Sequence, residues 1–240
     1  MRSRRSCRRP VVVERSAFAG YRFPPEVILL AVRWYLRFSL SYRDVEELLA
    51  ERGVEVDHVT IFRWVHHFTP ELIEASRPCR HAIGGRWFVD ETYVRVAGVW
   101  RYVYRAVDQH GQVIDILVSA RRDGAGARRF VQRVLGERAR SEQVTTDKAK
   151  ALIGAVRDVS PEAEHDMTVD ANNRVECDHG RLKARLRPMR GLQTDRTATV
   201  VNRGHAFVQN LRRGHYELGV HAFNDQDQVA AAFDELAQAI

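Results

Sequence analysis

The chain has 240 residues, 45% of them hydrophobic and 29% charged, which suits a globular protein with one large core or two smaller ones. No apolar run approaches the roughly 18–20 residues that span a bilayer, and Pro10-Val11-Val12-Val13 is too short for a secretory signal. Net charge is +7 and the pI about 9.7. The distribution is uneven: six arginines fall within residues 1–15, whereas from Glu217 to the end there are five acids and no Lys or Arg. A basic body with a basic arm suits a polyanionic partner, of which nucleic acid is the commonest. Cys7, Cys79 and Cys177 form no CxxC pair, so free thiols are expected rather than a disulfide frame or a zinc site.

Residues 1–20 read as a basic flexible arm. Over Glu26–Phe38, Val27, Leu30, Ala31, Trp34 and Phe38 fall on one helical stripe. A second helix capped by Ser41 runs through Val45, Leu48 and Leu49 to Glu51, where Gly53 breaks the pattern. Asp57 is a good cap for a third, His58–Phe68, with Ile61, Val65 and Phe68 inward. Helix, glycine turn and helix make residues 21–70 a helix-turn-helix DNA-binding region. Val59, Thr60, Arg63, His66 and His67 face outward, and Thr60, Arg63 and His67 are the candidate base and phosphate contacts; the alternative is a helical hairpin with a solvated face. Pro70 and Pro78 bound an expected linker, residues 71–84.

The texture then changes. Arg86–Val96, Trp100–Asp108 and Gln112–Ala120 are rich in β-branched and aromatic residues and separated by glycine turns, so they predict a three-strand meander. A helix over 125–138 follows, then a short strand ending at Asp147, a helix over 148–159, a brief strand near His165–Val169 and a helix from Asn173 to Arg187. The order βββαβαβα is that of a ribonuclease H-like mixed sheet, here residues 85–190, with a C-terminal helical region and acidic tail over 191–240. The fold class is therefore α/β.

Asp90 lies mid-strand on the face of Phe88, Thr92 and Val94, where a carboxylate is costly unless compensated. Asp147 ends the fourth strand and Glu176 opens the last core helix, and in this strand order the three positions converge at one sheet edge. Three carboxylates can hold two hard cations, which suits in-line displacement at phosphorus. Each also has a plain structural reading. Asp147 could cap the following helix, Glu176 could close a capping box on Asn173, and Asp90 could pair with Arg105. On the helix bearing Glu176, Lys183 and Arg187 return to the glutamate's face as a cationic rail for phosphates. Gly180 on that face would admit a close backbone, and His179 beside it either tunes the site or is an ordinary core-edge histidine.

Several motifs together resemble one family. They are Ser41-Tyr42-Arg43-Asp44, Val56-Asp57-His58-Val59-Thr60-Ile61, Val89-Asp90-Glu91-Thr92-Tyr93-Val94, Tyr104-Arg105-Ala106-Val107-Asp108, Thr146-Asp147-Lys148-Ala149 and Val175-Glu176-Cys177-Asp178-His179-Gly180-Arg181-Leu182-Lys183. From about Tyr21 to Gly214 the chain resembles the insertion-sequence-six family of bacterial transposases. The resemblance implies a DDE transposase that binds element ends and cuts and transfers DNA strands through cointegrates. It implies Asp90, Asp147 and Glu176 as the catalytic, metal-binding triad. Two magnesium ions are the implied cofactor, with manganese as a substitute. The implied partners are the terminal inverted repeats and target DNA, bound by a homodimer or higher assembly, and the location is the cytoplasm, at the nucleoid. The Asp147–Glu176 spacing is shorter than the family's norm, which leaves a decayed or repurposed DNA-binding protein without catalysis as the second reading.

Overall fold

The structure is a computed structural model that describes residues 16–136, 141–146, 149–166, 173–186, 192–222, 224 and 227–240, with the backbone alone for 173–178. Two compact units emerge, Met1–His81 with Phe207–Ile240, and Ala82–Ala206.

The first unit holds helices α1 (Pro25–Arg37), α2 (Tyr42–Ala50) and α3 (His58–Ser76). Their starts are set locally. Ser41 accepts from the Asp44 amide while Asp44 accepts from the Ser41 amide at 2.6 Å, a complete capping box. Asp57 caps α3 by accepting from the amides of Val59 and Thr60 at 2.9 and 3.0 Å, and the Thr60 hydroxyl first, then these amide bonds, hold its carboxyl below the usual range. Gly53 takes φ +75°, the left-handed value that turns the chain between α2 and α3.

Three expectations for this unit are corrected. The buried stripe of α1 is Ile28, Leu29, Ala31, Val32, Tyr35 and Leu36, and Phe38 is exposed. Val27 to Leu30 is apolar at every position, so periodicity alone admits both stripes, and packing against the other helices of this unit selects one. Helix α3 continues through Pro70 to Ser76, where a linker was expected, because Leu72 and Ser76 are wholly buried. Burial there offsets the roughly 3 kcal/mol that an interior proline costs a helix. Cys79 is buried and disulfide-bonded, not a free thiol, and its partner lies outside the described side chains.

The acidic C-terminus belongs to this unit. Helix α8 (Gln228–Ala237) buries Val229, Ala232, Phe233 and Leu236 and packs on α1 and α3. Burial lowers the pKa of the Arg33 guanidinium, and the charges of Asp234 and Asp227 oppose that shift.

The second unit is a five-stranded sheet in the order β3-β2-β1-β4-β5. Its strands are β1 (Arg86–Val96), β2 (Val99–Asp108), β3 (Val113–Ser119), β4 (Gln143–Thr146) and β5 (Glu164–Asp166). The first three are antiparallel, whereas β4 runs parallel to both β1 and β5. This order and these directions are those of the ribonuclease H-like fold. Helices α4 (Gly124–Gly136), α5 (Lys150–Val159) and α6 (Asn173–Leu186) complete the unit, and α7 (Asp195–Arg212) leads out of it. The core on one face combines Trp87, Val89, Tyr104 and Ala106 of the sheet with Phe130 and Val134 of α4 and Leu152 and Val156 of α5. The opposite face of β1 carries Phe88, Asp90, Thr92 and Val94, because successive side chains of a strand alternate.

Candidate active site

Asp90 sits halfway along β1 with a side chain only 13% exposed. One carboxylate oxygen accepts from the Glu91 amide at 2.8 Å. The other lies 3.5 Å from Nδ1 of His179, a buried residue of α6. That contact brings α6 onto the Asp90 face of the sheet. Directly across the β1–β2 ladder stands Arg105, wholly buried on the same face. A buried guanidinium is tolerated only beside compensating negative charge, so Arg105 marks this face as electrostatically special. The sequence named it only as a possible partner for Asp90.

Strand β4 pairs with β1 in register up to Val89 opposite Thr146, one residue short of Asp90. Thr146 is buried, and its hydroxyl lies 2.8 Å from Nε2 of His165 on β5. Burial lowers the pKa of that imidazole, with the Asp166 charge opposing. Asp147 follows immediately and lies outside the described residues. The plain reading of Asp147 as a helix cap is set aside, since α5 begins at Lys150 with Ala149 as its N-cap and no side-chain cap bond. Helix α6 begins at Asn173, which makes Glu176 its fourth residue, one beyond the capping-box position. Its side chain lies outside those described.

Along α6 the inward positions are His179, Leu182 and Arg185, and Lys183 is exposed with its ammonium 4.8 Å from the centre of the Tyr93 ring. Of the expected cationic rail, Lys183 is therefore exposed and Arg187 lies outside the described residues, while the neighbouring Arg185 turns into the protein. Among the described residues no backbone closely approaches Gly180. It is exposed, and a Cβ there would meet nothing within 4 Å.

The other face of β1 carries a second acid. Glu91, 5% exposed, forms an ion pair with Arg122. Burial first, then the charges of Glu91 and Asp123, push the Tyr104 hydroxyl up to about 12. Nothing in the sequence pattern separated Glu91 from Asp90 except alternation, which sends the two acids to opposite faces.

On α3, Arg63 and His67 are exposed as expected, whereas the Thr60 hydroxyl donates to Asp57 at 2.7 Å. His66 was expected outward but is half-buried against the Tyr42 hydroxyl at 3.2 Å. Phe62, absent from the expected outer face, is exposed beside Arg63.

A ribonuclease H-like sheet with a shielded aspartate at the centre of β1 fits a polynucleotidyl transferase core. A family model described as a DDE domain matches residues 84–215. Over 183 residues the chain is 35% identical to the transposase for the insertion sequence-like element IS431mec of Staphylococcus aureus, covering 74% of this chain and 81% of that one. The same figures hold for the transposase of IS257 in transposon Tn4003 from that organism. Solved structures similar to it include the HTLV-2 integrase catalytic core domain in complex with magnesium. Its dimeric form has a TM-score of 0.42 at 15% identity, covering 57% of this chain and 98% of that one, and its trimeric form a TM-score of 0.40 at 14% identity. The chain belongs to the insertion-sequence-six family of DDE transposases. No described helix is long and apolar enough to cross a membrane.

Proposed function

We propose that the protein cuts DNA at the ends of an insertion sequence and joins them to a target by cointegrate-type strand transfer, with Asp90, Asp147 and Glu176 as its catalytic carboxylates. The observation that carries this reading is the 3.5 Å approach of His179 to Asp90. Glu176 precedes His179 by three residues on α6, the spacing of neighbours along one helical face. Asp147 is joined by one peptide to Thr146, whose strand partner Val89 adjoins Asp90, and consecutive Cα atoms are only about 3.8 Å apart. Both facts favour a common point beside β1.

The donor set fits a hard divalent cation: carboxylate oxygens, a shielded Asp90 and an imidazole beside it. Asp90, Asp147 and Glu176 would hold magnesium, which supplies charge stabilisation at phosphorus and an activated oxygen nucleophile. The protein's own groups do the rest. His179 orients the Asp90 carboxylate, and Arg105 balances its charge. Lys183 and Arg187 bind DNA phosphates, and Arg63 with Thr60 and His67 reads the terminal repeat from α3. Thr60 works from its cap position, where Asp57 holds its hydroxyl. Two ends must be held at once, while each chain carries one helix-turn-helix, so the working species is at least a dimer on DNA.

The test is strand transfer with end DNA and magnesium. Asp90→Asn removes activity and leaves DNA binding largely unchanged; activity equal to the wild type would overturn the assignment.

A further inference from the structure

The tip of the β1–β2 hairpin carries an exposed aromatic pair that the catalytic reading leaves unused. Tyr93 is 53% exposed and Trp100 48%, their rings 4.9 Å apart and perpendicular. Each ring has a cation over its face. The Lys183 ammonium lies 4.8 Å from the Tyr93 centroid, and the Arg95 guanidinium 4.8 Å from that of Trp100. Exposed apolar side chains gathered into one patch mark interaction sites, and here the two adjacent rings have cationic companions.

The tip is also held in place. Ala97 and Gly98 take φ +48° and +77°, the two positive values of a tight two-residue hairpin turn. The Ala97 amide donates to the Leu192 carbonyl at 2.6 Å, and Arg101 pairs with Asp195 at 2.7 Å. Two bonds from the segment after α6 therefore fix the hairpin that presents the rings.

Its position ties it to the chemistry. Tyr93 lies three residues beyond Asp90 on β1, about 10 Å along the strand and on the opposite face of the sheet, where Lys183 of α6 reaches its ring. Lys183 lies four residues beyond His179 on α6, on the same helical face.

We infer that Tyr93 and Trp100 form a stacking platform for an unpaired base of the bound DNA at the hairpin tip beside α6, with Lys183 and Arg95 engaging the phosphates that flank it. Aromatic rings interleaved with cations are the arrangement that binds single strands, since each base offers a π-face once it leaves the duplex. The inference rests on the DNA strand-transfer reading for its substrate, and its test is independent of catalysis.

The experiment measures binding of the full-length protein, without metal, to an end duplex with a short unpaired tail and to the same duplex blunt-ended. A 2-aminopurine in the tail reports stacking. The wild type binds the tailed DNA more tightly and quenches the probe. Trp100→Ala and Tyr93→Ala lose that preference by about tenfold with blunt-end affinity little changed, and Trp100→Phe and Tyr93→Phe retain most of it. Where an alanine variant lowers the melting temperature, Trp100→Thr, which keeps the strand preference, replaces it. Equal binding of tailed and blunt DNA by the wild type, or equal loss on both in the variants, overturns the platform. If Asp90→Asn keeps full strand-transfer activity while the tail preference persists, the platform stands and the catalytic assignment falls.

Discussion

On the proposed assignment, replacing Asp90 by asparagine should separate metal binding from folding. The Glu91 amide donates to Asp90 at 2.8 Å, a bond the asparagine oxygen preserves, and the new amide group occupies the place of the oxygen near His179. The variant should therefore fold with unchanged stability in a chelator. Magnesium at ten times its dissociation constant stabilises the wild type by RT ln 11, about 1.4 kcal/mol. For a chain of this size that raises the melting temperature by about 3–6 °C. Asp90→Asn should lose most of this rise. Losing one ligand removes several kcal/mol of transition-state stabilisation, so strand transfer should fall on the order of a thousandfold. The assay pairs thermal melting with and without magnesium against strand transfer from labelled end DNA. A variant that melts like the wild type under both conditions and still transfers strands would refute the reasoning.

Other outcomes follow from described residues. Arg63→Ala should lower the ratio of specific to random DNA affinity by about 1–3 kcal/mol; competition binding on end and scrambled duplexes decides it, and equal loss on both would exclude α3 as the reader. Gly180→Ala, exposed and with nothing within 4 Å of a Cβ, should stabilise by about 1 kcal/mol, read as a melting-temperature gain of about 2–4 °C. No gain would mean that the α6 backbone departs from helix there. Burial lowers the His165 pKa from its ordinary 6.5. As pH falls below that value the unfolded chain takes up the proton first, so the stability present above pH 6.5 is lost on acidification. His165→Gln should flatten this loss in melting curves taken between neutral and mildly acidic pH, and an unchanged slope would assign it to other groups.

Much of the architecture was legible because it is decided within a few residues. The caps at Ser41 and Asp57 and the hairpin turn at Ala97-Gly98 are short-range chemistry, readable wherever the right side chain meets the right spacing. Strand β1 was read at its true ends because β-branched and aromatic residues alternate from Arg86 to Val96. The family motifs around Asp90 and Glu176 were equally plain.

What a pattern could not supply was the partner. The all-apolar run from Val27 to Leu30 fits two helical stripes equally well, and packing against α2, α3 and α8 decides which is covered. Pro70 should end a helix, yet burial of Leu72 keeps α3 running. Gly180 suggested a close approach that no described residue makes. His179 read equally as a site or core residue until α6 lay against β1 and set its imidazole 3.5 Å from Asp90. The sequence alone determined most of the elements that form and the motifs that mark the family, since both depend on local residue types. Only the tertiary structure decided which faces are buried, that Arg105 and His179 attend Asp90, and that Tyr93 and Trp100 stay exposed, because those depend on elements distant along the chain.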